Sequence, residues 1–203
     1  FFDYNSVRQI DRKRHNLESL VPENIVFKIE EYPQIFSMHS SIWAGLYKKS
    51  FLIKEKIKFP TTKSASYQDF YFNTLVLMKA NIVITYEHFL HYRQEFGHLS
   101  SIARKDKMLL MFIEQFKNVY HVIKDYYNYK NIESYFFNSG FRTCYHFYNQ
   151  IMDAYKIIFF NQLAEVVQNF KGIDTTILNE HSLKFYKRLN RKNCAKNYDI
   201  KVS

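Results

Sequence analysis

The sequence is poor in the residues that make sharp turns or covalent crosslinks. It has four Gly and three Pro among 203 residues, which argues against a sandwich of many short strands and favours helices. Its two cysteines, Cys144 and Cys194, lie far apart and form no CxxC or zinc pattern, so we expect free thiols in a reducing compartment. The most apolar run, Ile157–Phe160, is too short to cross a bilayer.

Short motifs of several common enzyme classes are also missing. The chain contains no GxGxxG, GKS/T, GxSxG, HExxH or DxD sequence, so nothing marks a dinucleotide site, a P-loop, a hydrolase elbow or a zinc protease. The eight His give no metal spacing. His88 and His91 fall in a predicted strand, where residues three apart face opposite sides.

Aromatic and basic residues are abundant. The chain is 19% aromatic, with 17 Tyr and 20 Phe, and 47% hydrophobic, so it can bury a substantial core. The formal net charge is +10, which suits nucleic acid, anionic lipid or a phosphorylated small molecule as a partner. Because the basic residues are scattered, the sequence favours compositional drift over a dedicated site for a polyanion. Their densest group is "KFYKRLNRKNCAK", residues 184–196.

Hydrophobic spacing divides the chain near residue 101. Before it, we predict a short strand within 23–32, a short helix around Trp43 capped by Ser40 or Ser41, a helix from Asp69, and strands at 82–86 and 89–93. After it, apolar residues recur with a helical period, which predicts amphipathic helices within 105–129 and 132–152 and over about 155–170 and 176–190.

Asp69 stands where the polar stretch "SASYQ" gives way to an apolar helical run. One interpretation is a helix cap, because Asp accepts hydrogen bonds from free N–H groups and suits the helix dipole. The other is a catalytic base. The two are compatible, and we predict both. Backbone donors would then lower the pKa of the Asp69 carboxyl and keep it ionised.

Two successive segments carry a resemblance to a known family. "SSIWAGLYKKSFLIKEKIKFP" and "SYQDFYFNTLVLMKANIVITYEHFLHYRQEFGHLSS" are similar, over about residues 36–101, to the second half of a family 2 glycosyltransferase with the GT-A fold. The resemblance implies an α/β fragment that is predominantly helical overall. It also implies a partial catalytic domain over 1–101, on the acceptor side, and a helical C-terminal extension over 102–203.

The resemblance assigns an acceptor site. Asp69 matches the family's general base, which deprotonates an acceptor hydroxyl in an inverting sugar transfer. Trp43, Gln68 and Tyr67 are then acceptor-binding residues, and the Trp43 indole can stack on a sugar face. Gln68 replaces the Glu that usually precedes the base, which removes a carboxylate from the pair.

The resemblance also implies a donor and a membrane setting. Arg93 and Ser100 match positions near the diphosphate of a nucleotide-diphospho-sugar. The complete enzyme is expected to use Mn²⁺ or Mg²⁺, but this chain has no DxD motif. We therefore expect a carboxy-terminal portion that is inactive alone. The expected acceptor is a glycan or a lipid-linked glycan in bacterial polysaccharide synthesis, and the expected location is cytoplasmic or peripheral at the inner face of the membrane.

Two other classes of function remain open at this stage. Amphipathic helices with an aromatic core need no chemistry, so the chain could be a non-enzymatic interaction domain that oligomerises through residues 102–203. A nucleic-acid-binding module would use the charge and the aromatic rings, but no binding motif supports it. We expect no nucleic-acid partner.

Overall fold

The computed structural model describes the backbone at residues 2–5, 10–13, 19–38, 40–61, 67–87, 92–94 and 104–201. It describes the side chains at residues 19–38, 40–61, 67–87 and 104–191. The helices are α1 (Lys49–Lys54), α2 (Gln68–Lys79), α3 (Leu110–Ile123), α4 (Tyr129–Gln150), α5 (Asp153–Val167) and α6 (Glu180–Lys201). Short 3₁₀ turns lie at Pro33–Ser37, Ile42–Ala44, Lys107–Leu109 and Thr175–Ile177.

The strands are few and short. They are β1 (Phe2–Asn5), β2 (Ile10–Lys13) and β3 (Tyr92–Gln94). β1 lies between the other two, antiparallel to β2 with Asp3 opposite Arg12 and parallel to β3 with Asp3 opposite Tyr92.

The α/β fold class predicted from the sequence is wrong. The described part of the chain is 63% helical, and the strands within it are segments of three or four residues. The β-branched run after α2 does not form the predicted strand at 82–86. Its one isolated antiparallel bridge among the described residues joins Ile82 to Phe27. The predicted strand at 89–93 falls partly outside the described residues.

The helical half follows its apolar stripes. In α3 the buried side chains recur at Phe112, Phe116, Val119 and Ile123, and they lie on one face of the helix. α4 carries a matching stripe, so the two helices bury a shared aromatic layer. Gly140 of α4 allows close approach, since a Cβ there would lie 2.5 Å from the Phe116 ring.

The aromatic core runs across the predicted domain boundary. That boundary, at 101/102, lies outside the described residues. Phe70 of α2 nevertheless contacts Phe112, with ring centroids 5.1 Å apart, and stacks on Phe136, with centroids 5.9 Å apart. Burying such rings stabilises the fold by roughly 1.5–3 kcal/mol per side chain. The start of α2 is therefore held firmly against the helical half.

Candidate functional site

Asp69 is the second residue of α2 and not its cap. The capping position belongs to Tyr67, which has a left-handed backbone (φ 67°) and makes no side-chain capping bond. A bulky residue rarely adopts this conformation, so the turn into α2 is strained. The predicted capping role of Asp69 is wrong, and so is the predicted Ser41 cap, whose side chain makes no capping bond to its 3₁₀ turn.

The Asp69 carboxyl is half-buried, and burial raises its pKa above the ordinary value of 3.8. Its own backbone N–H acts in the opposite direction but is the weaker influence. The predicted lowering of this pKa is therefore wrong, because loss of hydration outweighs the hydrogen bond. Asp153 also lies in the first turn of its helix, but Lys156, 2.7 Å away, lowers its pKa.

Tyr47 and Asn73 lie beside Asp69. Asn73 is four residues further along α2 and so shares the Asp69 face of the helix. Its Oδ1 accepts a hydrogen bond of 3.2 Å from the Tyr47 hydroxyl. The pKa of Tyr47 is raised mainly by burial and additionally by the negative charge of Asp69. The start of α2 thus gathers a carboxylate, an amide and a phenol.

Tyr47 and Asn73 also line a cavity of about 430 Å³. It lies between α2, the 3₁₀ turns at Pro33–Ser37 and Ile42–Ala44, and the segment 80–84 that follows α2. The walls are mostly apolar and include Ile35, Phe36 and Leu77. Ser40, Ser41, Tyr47, Lys48, Asn73, Thr74, Asn81 and Ser139 add polar groups. A volume of this size holds a ligand as large as a sugar, and a few polar groups in an apolar wall are typical of a binding site.

The structure does not bring the other predicted acceptor residues into this cavity. Trp43 lies on the Ile42–Ala44 turn with 38% of its surface exposed. The Gln68 amide donates to the Pro60 carbonyl at 3.1 Å, so it holds the chain before α2. Among the described residues, neither Trp43, Gln68, Tyr67 nor Asp69 lines the cavity.

Tyr67 faces the helical half. Its ring centroid lies 5.6 Å from that of Phe112 and 5.3 Å from that of Phe147. Burial raises the pKa of Tyr67 to about 12, and its hydroxyl has no hydrogen-bond partner. The side chain therefore anchors the strained turn in the aromatic core.

The predicted donor residues cannot be placed beside this site. Arg93 belongs to β3, but its side chain is not among those described, and Ser100 lies outside the described residues. Their predicted role near a diphosphate stays a prediction.

Sequence reasoning missed Tyr47 and Asn73 as members of the site. The sequence pattern predicts a short helix around Trp43 that includes Tyr47, whereas the structure places Tyr47 between a 3₁₀ turn and α1. The spacing of four between Asp69 and Asn73 is a signal that could have identified the amide. Nothing local to Tyr47 indicates that it reaches α2.

Within the part of the chain that the structure describes, no group of three or more His, Cys, Asp or Glu could hold a metal ion. No described helix is long and apolar enough to cross a membrane. Comparisons of the chain with protein-family models, curated proteins and solved structures find no match.

Proposed function

We propose that this chain forms the acceptor side of a glycosyltransferase, with Asp69 as the general base. One observation carries the proposal. Asp69 is a half-buried carboxyl with a raised pKa, one helical turn before Asn73, and Asn73 and its hydrogen-bond partner Tyr47 line a sugar-sized cavity. The order of short motifs over residues 36–101 supports the same reaction.

The reaction joins a sugar from a nucleotide-diphospho-sugar to a hydroxyl of the acceptor. Asp69 Oδ accepts the hydroxyl proton while the acceptor oxygen forms a bond to the anomeric carbon. The bond from that carbon to the diphosphate breaks, and the nucleoside diphosphate leaves with the electron pair. Attack opposite to the leaving group inverts the configuration.

A raised pKa suits this role. A carboxylate that is partly removed from water holds a proton more strongly than an exposed one, which improves proton transfer from an alcohol. Asp69 must still be ionised to accept the proton, so activity falls as the pH drops through its raised pKa. The phenol of Tyr47 and the amide of Asn73 are placed to orient acceptor oxygens.

The donor side is not assigned to the described residues. The family resemblance implies Mn²⁺ or Mg²⁺ to neutralise the leaving diphosphate. Because the described residues offer no cluster of metal ligands, no step is assigned here to a metal.

The test is sugar transfer by the native gene product, supplied with a panel of nucleotide-sugars and glycan acceptors. We expect Asp69→Asn to lower kcat by about 10²- to 10⁴-fold and to leave the KM for the donor nearly unchanged. Asp153→Asn is the matched control, since it removes a first-turn carboxylate from a different helix, α5. Equal activity of the two variants would refute the assignment of Asp69.

The acceptor contacts need a separate measurement. We expect Asn73→Ala to raise the KM for the acceptor by about tenfold, the value of one neutral or charge-assisted hydrogen bond, with a smaller effect on kcat. Asn81→Ala, at another polar position of the same cavity, tests whether the effect is confined to the Asp69 end.

A non-enzymatic interaction domain is the second candidate. Large apolar side chains protrude outside the helical half, among them Leu46, which is 98% exposed. Such side chains commonly mark contact surfaces. A stable oligomer in sedimentation that dissociates with Leu46→Ser, together with unchanged transfer in Asp69→Asn, would favour this function.

A further inference from the structure

α6 carries a continuous basic stripe on its outer side. Four basic side chains recur at spacings of three and four residues, all of them exposed, and these are Lys184, Lys187, Arg188 and Arg191. Residues at such spacings lie on one face of a helix. The inner face of α6 is apolar, with Phe185 and Leu189 buried in the core.

Most of this positive charge is not neutralised. Lys184 pairs with Glu180 at 2.6 Å. Among the described carboxylates, none forms an ion pair with Lys187, Arg188 or Arg191. Three cations therefore face solvent along two turns of α6.

Apolar side chains adjoin the stripe on α5. The Arg188 guanidinium lies 5.6 Å from the Phe160 ring centroid, and Phe160 packs against Phe185 with centroids 5.9 Å apart. Ile157 is three residues before Phe160 on the same side of α5 and is 72% exposed. Ile158 beside it is 46% exposed. Cations and exposed aliphatic groups thus share one surface, the α5–α6 face, made of Ile157, Ile158, Lys184, Lys187, Arg188 and Arg191.

We propose that the α5–α6 face docks this protein on an anionic lipid surface. Basic side chains bind acidic headgroups, and neighbouring aliphatic side chains enter the boundary between headgroups and acyl chains. The chemistry requires both components side by side, as they are here. Docking is independent of the proposed sugar transfer, because Asp69 and its cavity belong to other elements.

A nucleic acid is the less suitable partner for this face. Binding to single strands relies on aromatic rings that stack on bases. Here Phe185 is buried and Phe160 is covered by Arg188, whereas the exposed groups are isoleucines. Isoleucine gains little against a phosphate backbone but gains by leaving water at a lipid interface.

The test is sedimentation of the full chain with vesicles of phosphatidylcholine alone or mixed with phosphatidylglycerol. We expect binding only to the mixed vesicles and a decrease as salt is added. Lys187→Gln with Arg191→Gln should weaken the partition by about 25-fold, which is about fivefold for each cation. Lys117→Gln with Lys124→Gln, an equal loss of charge at exposed positions in α3 and directly after its end, should have a small effect.

The aliphatic part has its own variant. Ile157→Gln with Ile158→Gln leaves the charge unchanged and should weaken vesicle binding by about tenfold or more. Far-ultraviolet circular dichroism verifies that each variant is folded. Failure to bind mixed vesicles, or equal losses in the α3 and α6 charge variants, would overturn the proposal. Tight oligonucleotide binding that depends on Lys187 and Arg191 but not on Ile157 would also overturn it, in favour of a nucleic-acid surface.

Discussion

Residues 104–191 and residues 19–87 are built differently, although one core connects them. Within residues 104–191, the one residue with a left-handed backbone conformation is a glycine, Gly172 (φ 81°). Residues 19–87 place Asn24, Lys56 and Tyr67 in that conformation instead. Strained backbone persists only where surrounding packing holds it, and it is common at functional sites.

Burial shows the same contrast. The helical region stacks its rings inward, so Phe116, Phe136, Phe137 and Phe141 are fully buried. Residues 19–87 expose more of their large apolar side chains, namely Leu20, Ile25, Val26, Trp43, Leu46, Ile53, Phe59 and Val83, against Val122, Tyr127, Met152, Ile157 and Ile158 in the helical region. Residues 19–87 also form most of the cavity wall. We infer that the helical region supplies stability and that residues 19–87 carry the site. The stability predictions below test that division.

The largest expected effect is loss of an aromatic ring from the helical core. Phe116→Ala removes a fully buried ring that contacts Phe70, Phe136 and Phe170. It should lower the free energy of unfolding by about 3–5 kcal/mol, measured by urea denaturation. The matched variant Phe59→Ala removes a ring that stacks on Phe72 at 4.3 Å but is 46% exposed, and we expect a loss of about 1 kcal/mol. Equal losses of unfolding free energy in the two variants would contradict the inference that the helical region supplies most of the stability.

The next effect tests the connection between the two regions. Glu30 accepts hydrogen bonds from the Asn128 amide at 3.1 Å and from the Tyr127 hydroxyl at 3.3 Å. Asn128→Ala should destabilise the protein by about 2 kcal/mol, because it removes a bond to a charged acceptor from a buried residue. Asn131→Ala, on an exposed position of α4, is the control and should change stability by less than about 0.5 kcal/mol. A loss confined to Asn128 supports a fixed junction, and a loss in neither variant contradicts it.

The two regions also differ in how well sequence predicts them. α3 and α4 follow from apolar spacing alone, because each buries one face along its whole length. The run at 82–86 has strand composition, but its backbone partners, Asn24 and Phe27, precede it by more than fifty residues that include α1 and α2. Among the described residues it forms one isolated bridge. The start of α2 was predictable as a helix start. The raised pKa of Asp69 was not, because it depends on packing by residues distant in sequence.

A smaller effect, of opposite sign, is expected at Lys56. α1 ends with hydrogen bonds from Lys56 N to Ile53 O at 3.1 Å and from Ile57 N to Leu52 O at 2.9 Å, the Schellman arrangement that favours glycine at its left-handed position. Lys56→Gly should raise the free energy of unfolding by about 0.5–1 kcal/mol, since relief of strain exceeds the added chain entropy. Lys54→Gly, inside α1, should instead lower it by up to about 1 kcal/mol. Destabilisation by both variants would show that the Lys56 backbone is not strained.

The smallest expected effect is the pH dependence of stability at Asp69 and Asp153. The pKa of Asp69 is raised in the folded protein, so the folded state holds its proton longer than the unfolded state does. Its contribution to stability therefore falls as the pH rises from the ordinary value of 3.8 through the raised pKa. The pKa of Asp153 is lowered, so its contribution is present above the ordinary value and is lost as the pH falls through the folded pKa.

The two Asn variants should therefore change thermal stability in opposite directions at neutral pH. Asp69→Asn should leave the melting temperature unchanged or slightly raised, because it removes a poorly hydrated charge. Asp153→Asn should lower it slightly, because it removes the partner of Lys156. Melting curves between acidic and neutral pH measure both slopes. A clear loss of stability in Asp69→Asn would make this carboxylate a structural element of α2, whereas lost transfer without lost stability is what a catalytic base at this position requires.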